Sequence, residues 1–531
     1  MKQTNFKRII CVTICAVMML GIFAGCGERP VPDIPVPGQM GAGQNVPQPG
    51  GQDAPPAEGI SRVRLARNER VLTFDQAASM NISSNHLIRA INDSLVFMEG
   101  GQIVPRLATS WEINDEATEF IFQLRTDARF SNGSPFTARD VQATFMYPVE
   151  NNLANSASFQ PIERVEILGD HEVKFYMSEP FGAFLSLAST WGVVYHALVE
   201  GGPDVMATQI IGTGPYMLEE NVPDVRVLLV RNPYYWGEAP YFDEYEYIII
   251  LEDSTRLAAA QNGEIDIAEN MDPSVFGIIE AHADLYLYQV ALADMHWLGI
   301  KTDREPFTDI NVRRALSLSI DRQALVNIVQ GGQVGGGIIS EVTLGGGRLP
   351  PYEFDPDLAR ELLAASDYDG RELVFLSFTG AFTMTMEQLE AIQAMMTAVG
   401  FNVLIDVFDN ATFMERRSAE LFDFFWTGAA HPNADPNVFF TSRIMGNTQM
   451  CNWFHDEMFE YIRLGNQLSD INARADAYAR VNELARYYYA PFIGLNETMG
   501  NYAVRNTIDE ASLARAFGAD RIVHPRFLRG A

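Results

Sequence analysis

Arg371-Glu-Leu-Val-Phe-Leu-Ser-Phe378 leads, after a short joint, into Met384-Thr-Met-Glu-Gln-Leu-Glu-Ala-Ile-Gln-Ala-Met-Met-Thr-Ala-Val-Gly400 and then Phe401-Asn-Val-Leu-Ile-Asp-Val-Phe408. The outer runs are rich in β-branched and aromatic residues, as strands are. The middle run places Leu389, Ile392, Met396 and Val399 on one face at helical spacing, and Gly400 stops it. Strand, helix and strand with short joints form a βαβ unit. That unit requires neighbouring parallel strands, and therefore an α/β lobe. The methionines of the helix read as core filling.

Local signals elsewhere agree with a mixed fold. Glu119–Arg125 alternates side chains like a strand. Glu172–Met177 is a second strand candidate, entered through the turn Gly169-Asp170. Thr137 is placed to cap a helix, with Asp140 three residues on. Asp355-Pro356 is another helix start, with proline at the first helical position.

The body, Ser61 to Ala531, is long for one core and predicts two or three lobes. The formal charge of −30 argues against nucleic acid and against adhesion to anionic lipid. It permits a cationic or zwitterionic ligand. The eight histidines are scattered and there is no cysteine cluster, so neither a metal nor another cofactor is expected.

The N-terminus has Lys2, Lys7 and Arg8 before Ile9–Ala24, which is apolar or small apart from Thr13. This is the pattern of a secretory signal, and it is short of the roughly 20 residues of a spanning helix. Phe23-Ala24-Gly25-Cys26 resembles the lipobox of bacterial lipoproteins, with Phe23 where leucine is usual. The resemblance implies that residues 1–25 leave as a signal peptide and that Cys26 is lipidated as the first mature residue. Residues 26–60, rich in proline and glycine, read as a disordered spacer. The protein would then work outside the cytoplasm, held to a membrane face. Cys11 and Cys15 leave with the signal, so Cys451 has no disulfide partner and reads as a buried, inert thiol.

A series of motifs then appears in order. Pro105-Arg-Leu-Ala-Thr-Ser-Trp111 and Phe120–Arg125 come first, followed by Phe130-Ser-Asn-Gly-Ser-Pro-Phe-Thr-Ala-Arg-Asp-Val141. Next are Ile211-Gly-Thr-Gly-Pro-Tyr216, Arg231-Asn-Pro-Tyr-Tyr-Trp236 with Pro240-Tyr-Phe-Asp243, and Gln261-Asn-Gly-Glu-Ile-Asp266. Pro306-Phe-Thr-Asp-Ile-Asn-Val-Arg313, Ile320-Asp-Arg322 and Ala490-Pro-Phe492 close the series. Together they resemble the family 5 extracellular solute-binding proteins, the peptide-, nickel- and oligosaccharide-binding components of ABC importers. Trp111 and Trp236 read as core anchors. Arg125, Asp140, Arg313 and Asp321 read as candidates for ion pairs that fix the lobes.

The resemblance implies an α/β fold of the type II periplasmic-binding-protein class, with two hinged lobes and an extra subdomain. Lobe I would take 61–84, 206–299 and 491–531, the subdomain 85–205, and lobe II 300–490. Ligand would bind in the cleft between the lobes. Asp423-Phe-Phe-Trp426-Thr-Gly-Ala429-Ala-His-Pro-Asn-Ala-Asp435-Pro436 resembles the family's ligand segment. In peptide binders an acid three residues after the tryptophan pairs with the peptide ammonium, and here that position is Ala429. Asp435 is a candidate substitute, or only a turn residue. Trp426 is a candidate pocket wall. His296 and Trp297, near the first lobe crossing, are candidates for ligand contact or for packing.

The leading expectation is a non-catalytic receptor for oligopeptides or a similar small solute. It would be a monomer, partnered by an ABC permease and its ATPase subunits. Alternatives are an oligosaccharide- or opine-binding receptor of the same fold, or a lipid-anchored sensor or chaperone. A hydrolase is disfavoured, because no Gly-x-Ser-x-Gly, His-Glu-x-x-His or Walker A motif occurs.

Overall fold

The computed structural model describes residues 61–79, 81–99, 101–380, 384–431, 434–517 and 522–531, without the side chains of Ala429 and Ala430. The signal segment, Cys26 and the spacer lie outside the described residues. Within them, no helix is long and apolar enough to cross a membrane.

The βαβ unit forms as its sequence dictates. Glu372–Phe378 and Asn402–Phe408 are adjacent parallel strands, in register from Glu372 with Asn402 to Phe378 with Phe408. The helix Thr385–Val399 between them buries Leu389, Ile392, Met396 and Val399, and Gly400 ends it in a left-handed conformation. Each such side chain removed from water contributes about 1.5–3 kcal/mol. The methionine reading needs correction. Met396 is buried and Met395 packs at the core edge, but Met384 and Met386 lie off the apolar face and are exposed.

The ion-pair expectation is also corrected, for Arg313 and Asp321. Arg313 donates to the carbonyls of Phe307, Thr308 and Tyr488. Asp321 caps the helix Arg322–Val329 by accepting from the Ala324 amide. Asp140 accepts from the Thr137 and His196 amides and meets the His196 ring at Nδ1, 2.7 Å away, and Arg125 pairs with Asp127, two residues away. Unsatisfied backbone groups at helix ends and turns lie closer to these side chains than a distant charge does.

Ten strands form one sheet. Their order is Asn402–Phe408, Glu372–Phe378, Phe424–Ala430, Leu285–Ile300, Phe492–Arg505, Ile267–Glu269, Arg62–Arg67, Glu244–Ile249, Arg226–Arg231 and Tyr216–Val222. A separate four-stranded sheet is ordered Ala108–Ile113, Glu119–Leu124, Glu172–Met177, Ile162–Gly169. The apolar cores follow this division. One core gathers buried residues from Leu95 to Val193 around the small sheet. Two others lie on the Arg62–Arg67 side of the large sheet, and two more on the Glu372–Phe378 side. The protein therefore has two lobes and a third unit, and Leu285–Ile300 and Phe492–Arg505 are the strands shared between the lobes. Cys451 sits in one of the lobe II cores, where burial pushes its thiol up to about 12.

Strand direction decides where a groove can form. Arg62–Arg67, Glu244–Ile249 and Ile267–Glu269 run parallel to one another. They share the direction of Leu285–Ile300, because both it and Ile267–Glu269 oppose Phe492–Arg505. Glu372–Phe378, Asn402–Phe408 and Phe424–Ala430 are parallel to each other and antiparallel to Leu285–Ile300. The carboxyl ends of both parallel sets thus point at each other across the middle of the crossing strands. In open α/β sheets the carboxyl ends of the strands are where ligands bind.

Candidate functional site

The floor of the groove is a break in the ladder between the crossing strands. Pairing is regular from Leu285 with Arg505 to Ala291 with Met499, resumes at Met295 with Glu497, and shifts again before Trp297 with Gly494. At the break the first crossing strand turns to a different neighbour. Asp294 pairs with Ala430, and the Ala293 carbonyl accepts from the His431 amide at 2.6 Å. Asn496 and Glu497 are buried on the second crossing strand at the same level. Burial raises the Glu497 carboxyl above the usual carboxylate range, against the hydrogen bond from Gln333 Nε2 (2.8 Å) to its Oε2.

The lobe I wall is built at the ends of Arg62–Arg67 and Ile267–Glu269. Arg67 Nη1 meets Glu269 Oε2 at 3.0 Å, and both side chains are buried. Burial outweighs the neighbouring guanidinium and pushes the Glu269 carboxyl up to about 7. Asn270 Nδ2 donates to Asn68 Oδ1 at 2.9 Å, tying the two strand ends together.

The lobe II wall follows Phe424–Ala430. His431 Nδ1 lies 3.2 Å from the Ala293 carbonyl, which fixes the tautomer with the proton on Nδ1 and leaves Nε2 an acceptor. Burial holds this imidazole at about 4, so it is neutral near pH 7. Arg443 Nη1 donates to the Gly428 carbonyl at 3.0 Å, and burial draws its guanidinium down to about 10. Asp294 lies near both groups and favours the protonated form of each.

The residues singled out in the sequence come to different places. Trp426 is fully buried, pairs with Leu298 across the ladder and packs edge-on to His296 at 5.6 Å. His296 is buried opposite Gly428. Trp297 points to the other face of the sheet. Its indole N–H donates to the Ile338 carbonyl at 2.7 Å, and its ring stacks on Phe439. Ala429 pairs with Met295, and its side chain lies outside the described residues. Asp435 is buried and bonded to Arg474, Oδ2 to Nη2 at 2.7 Å, while its Oδ1 accepts from the Asn437 amide. His296 and Trp426 therefore meet on one face of the strand pair, Ala429 takes the adjacent rung opposite Met295, and Trp297 and Asp435 are engaged by partners within lobe II.

Residues 102–448 match the family described as bacterial extracellular solute-binding proteins, family 5 Middle. The chain belongs to this family. This solute-binding protein is 27% identical over 407 residues to the probable di/tripeptide-binding protein 5 of Pseudomonas aeruginosa, covering 70% of this chain and 76% of the relative. It is 25% identical over 498 residues to the periplasmic oligopeptide-binding protein OppA of Escherichia coli, covering 84% and 90%. Among solved structures, HbpA2 from Haemophilus parasuis superposes with a TM-score of 0.79 at 20% identity, over 88% of this chain and 100% of that one.

Asp294, Glu269, Glu497 and Arg443, at the facing strand ends and the ladder break, are candidate groove residues that sequence reasoning missed. Asp294 and Glu497 did carry a signal: each is a lone acid inside an apolar crossing strand, where an unsupported charge is costly. Glu269 and Arg443 had none, because their position depends on which strand ends meet.

Proposed function

We propose that this chain is the extracytoplasmic receptor of an ABC importer, taking a short peptide or a similar zwitterionic solute into the groove without altering it. One observation carries the ligand class. Asn496 Oδ1, Glu497 Oε1 and His431 Nε2 at the crossing level, and Glu269 Oε1 in the lobe I wall, are buried with no hydrogen-bond partner among the described residues. All four are acceptors, and buried polar atoms in native proteins are nearly always satisfied. A ligand that brings ammonium and amide N–H groups suits this set. The relatives named as di/tripeptide- and oligopeptide-binding proteins support the same class.

Asp435 is held by Arg474 inside lobe II, and we assign the ligand's cationic group to the crossing level, where Asp294 lies across the ladder from Ala430 and beside the Ala429 rung. In this reading lobe I is 61–84, 206–299 and 491–531, the third unit 85–205, and lobe II 300–490. Closure about the crossing strands buries the solute, and a permease with its ATPase subunits receives the closed monomer. Cys26 carries the lipid that tethers the protein to the membrane. Native mass spectrometry of the purified protein tests the proposal. A peptide that is released on denaturation is the expected result. A protein that carries no peptide, and that no peptide stabilises in a thermal-shift screen, would overturn it.

A further inference from the structure

The third unit is tied to lobe I. Tyr147 Oη donates to Asp75 Oδ2 at 2.8 Å, the Asn155 amide donates to the Ala77 carbonyl at 3.1 Å, and Arg526 pairs with Asp93 at 3.1 Å. Yet the same unit also touches lobe II. The Gly182 amide donates to the Asn466 carbonyl at 2.6 Å, across a sequence separation that spans the whole first crossing. A Cβ built on Gly182 would overlap the Leu468 carbonyl oxygen, so backbone meets backbone with no room for a side chain. Four residues on, Ser186 Oγ accepts from Arg474 Nη1 at 3.4 Å. Any rotation that parts the lobes breaks these contacts.

Arg474 is the node of the arrangement. Its other nitrogens donate to the Gly465 carbonyl (2.9 Å), the Tyr478 hydroxyl (3.3 Å) and Asp435 Oδ2 (2.7 Å). Tyr478 Oη in turn donates to Asn466 Oδ1 at 2.8 Å. One buried guanidinium therefore connects three things: the turn after the groove strand Phe424–Ala430, the end of the helix Asp456–Gln467 that receives Gly182, and the third unit itself.

We propose that residues 181–186 form a clasp which holds the lobes closed, and that Arg474 couples this clasp to the Asp435 turn at the groove. The inference rests on the receptor reading above. Because the clasp lies outside the groove, it sets affinity through the fraction of molecules in the closed state, without touching solute.

The test compares the full-length protein with Gly182→Val and, for a change that adds no bulk, Ser186→Ala. The probe is an enzymatic casein digest of short peptides, with bound peptide measured by equilibrium dialysis and amide exchange by mass spectrometry. Unchanged exchange over 119–124 and 172–177 verifies that the third unit is folded. We expect Gly182→Val to weaken peptide retention about tenfold or more, and Ser186→Ala to weaken it less. Peptide should also slow exchange over 181–187 in the wild type and not in Gly182→Val. Retention equal to wild type in both variants overturns the clasp and leaves the receptor reading intact. If the wild type retains no peptide, the receptor reading fails and scattering of the unliganded proteins judges the clasp. A larger radius of gyration for Gly182→Val supports the clasp, and an equal one overturns it.

Discussion

Arg474 and Asp435 form an ion pair in which both side chains are almost wholly hidden from water, Nη2 to Oδ2 at 2.7 Å. The pair joins a helix to the turn that follows the groove strand, and each charge is the other's main compensation.

Removing one partner should therefore damage the fold more than the groove. Asp435→Ala is expected to cost about 3–5 kcal/mol, because it leaves a buried guanidinium without its anion. The double change Asp435→Leu with Arg474→Met should recover much of that loss. Urea unfolding of the three proteins checks both statements. A single variant as stable as the wild type would contradict them.

His431 makes stability depend on pH. Its folded imidazole protonates only near 4, whereas an unfolded one does so near 6.5. Between those values the unfolded chain binds the extra proton, so stability falls as the pH drops from 6.5 to 4. The span is worth at most about 3 kcal/mol. Two other histidines, buried His86 and half-buried His524, act with the same sign. His431→Gln should flatten the urea-midpoint profile over that range relative to the wild type, and identical profiles would count against the assignment.

Trp297→Phe removes the donor to the Ile338 carbonyl while keeping an aromatic ring against Phe439. Leaving that buried acceptor unsatisfied should cost about 1–3 kcal/mol. Peptide retention measured by equilibrium dialysis should be unchanged, since the indole lies on the far face of the sheet from His296. A loss of retention without a loss of stability would place Trp297 in the groove after all.

Acid at the groove should set which peptides are held. Asp294→Asn is expected to weaken peptides with free N-termini about tenfold or more relative to N-acetylated ones, the scale of a lost charge-assisted contact. Isothermal titration with matched free and acetylated peptides reads the ratio. Unchanged ratios would remove Asp294 from the ligand's cationic end.

The parts of this fold that were legible in the sequence are those fixed by local chemistry. Leu389, Ile392, Met396 and Val399 define a helix face by spacing alone, and Gly400 ends it. Glu119–Leu124 and Glu172–Met177 are strands because their side chains alternate, and they pair with each other. The groove was legible only in outline. Asp435 looked free because its partner, Arg474, is 39 residues away on another element. Asp294 went unread because its importance comes from register, which puts it opposite Ala430. Gly182 gave no signal at all, since its role depends on a backbone carbonyl nearly three hundred positions later.

The interrupted ladder at Ala291–Met295 has one more consequence. The two lobes are joined by adjacent, mutually paired strands, and both lose regular pairing at the same height. Such a joint behaves like a door on a single pin: it resists twisting and sliding, and yields about one axis. An empty and a loaded receptor would then differ, for a permease, by a turn about that one axis.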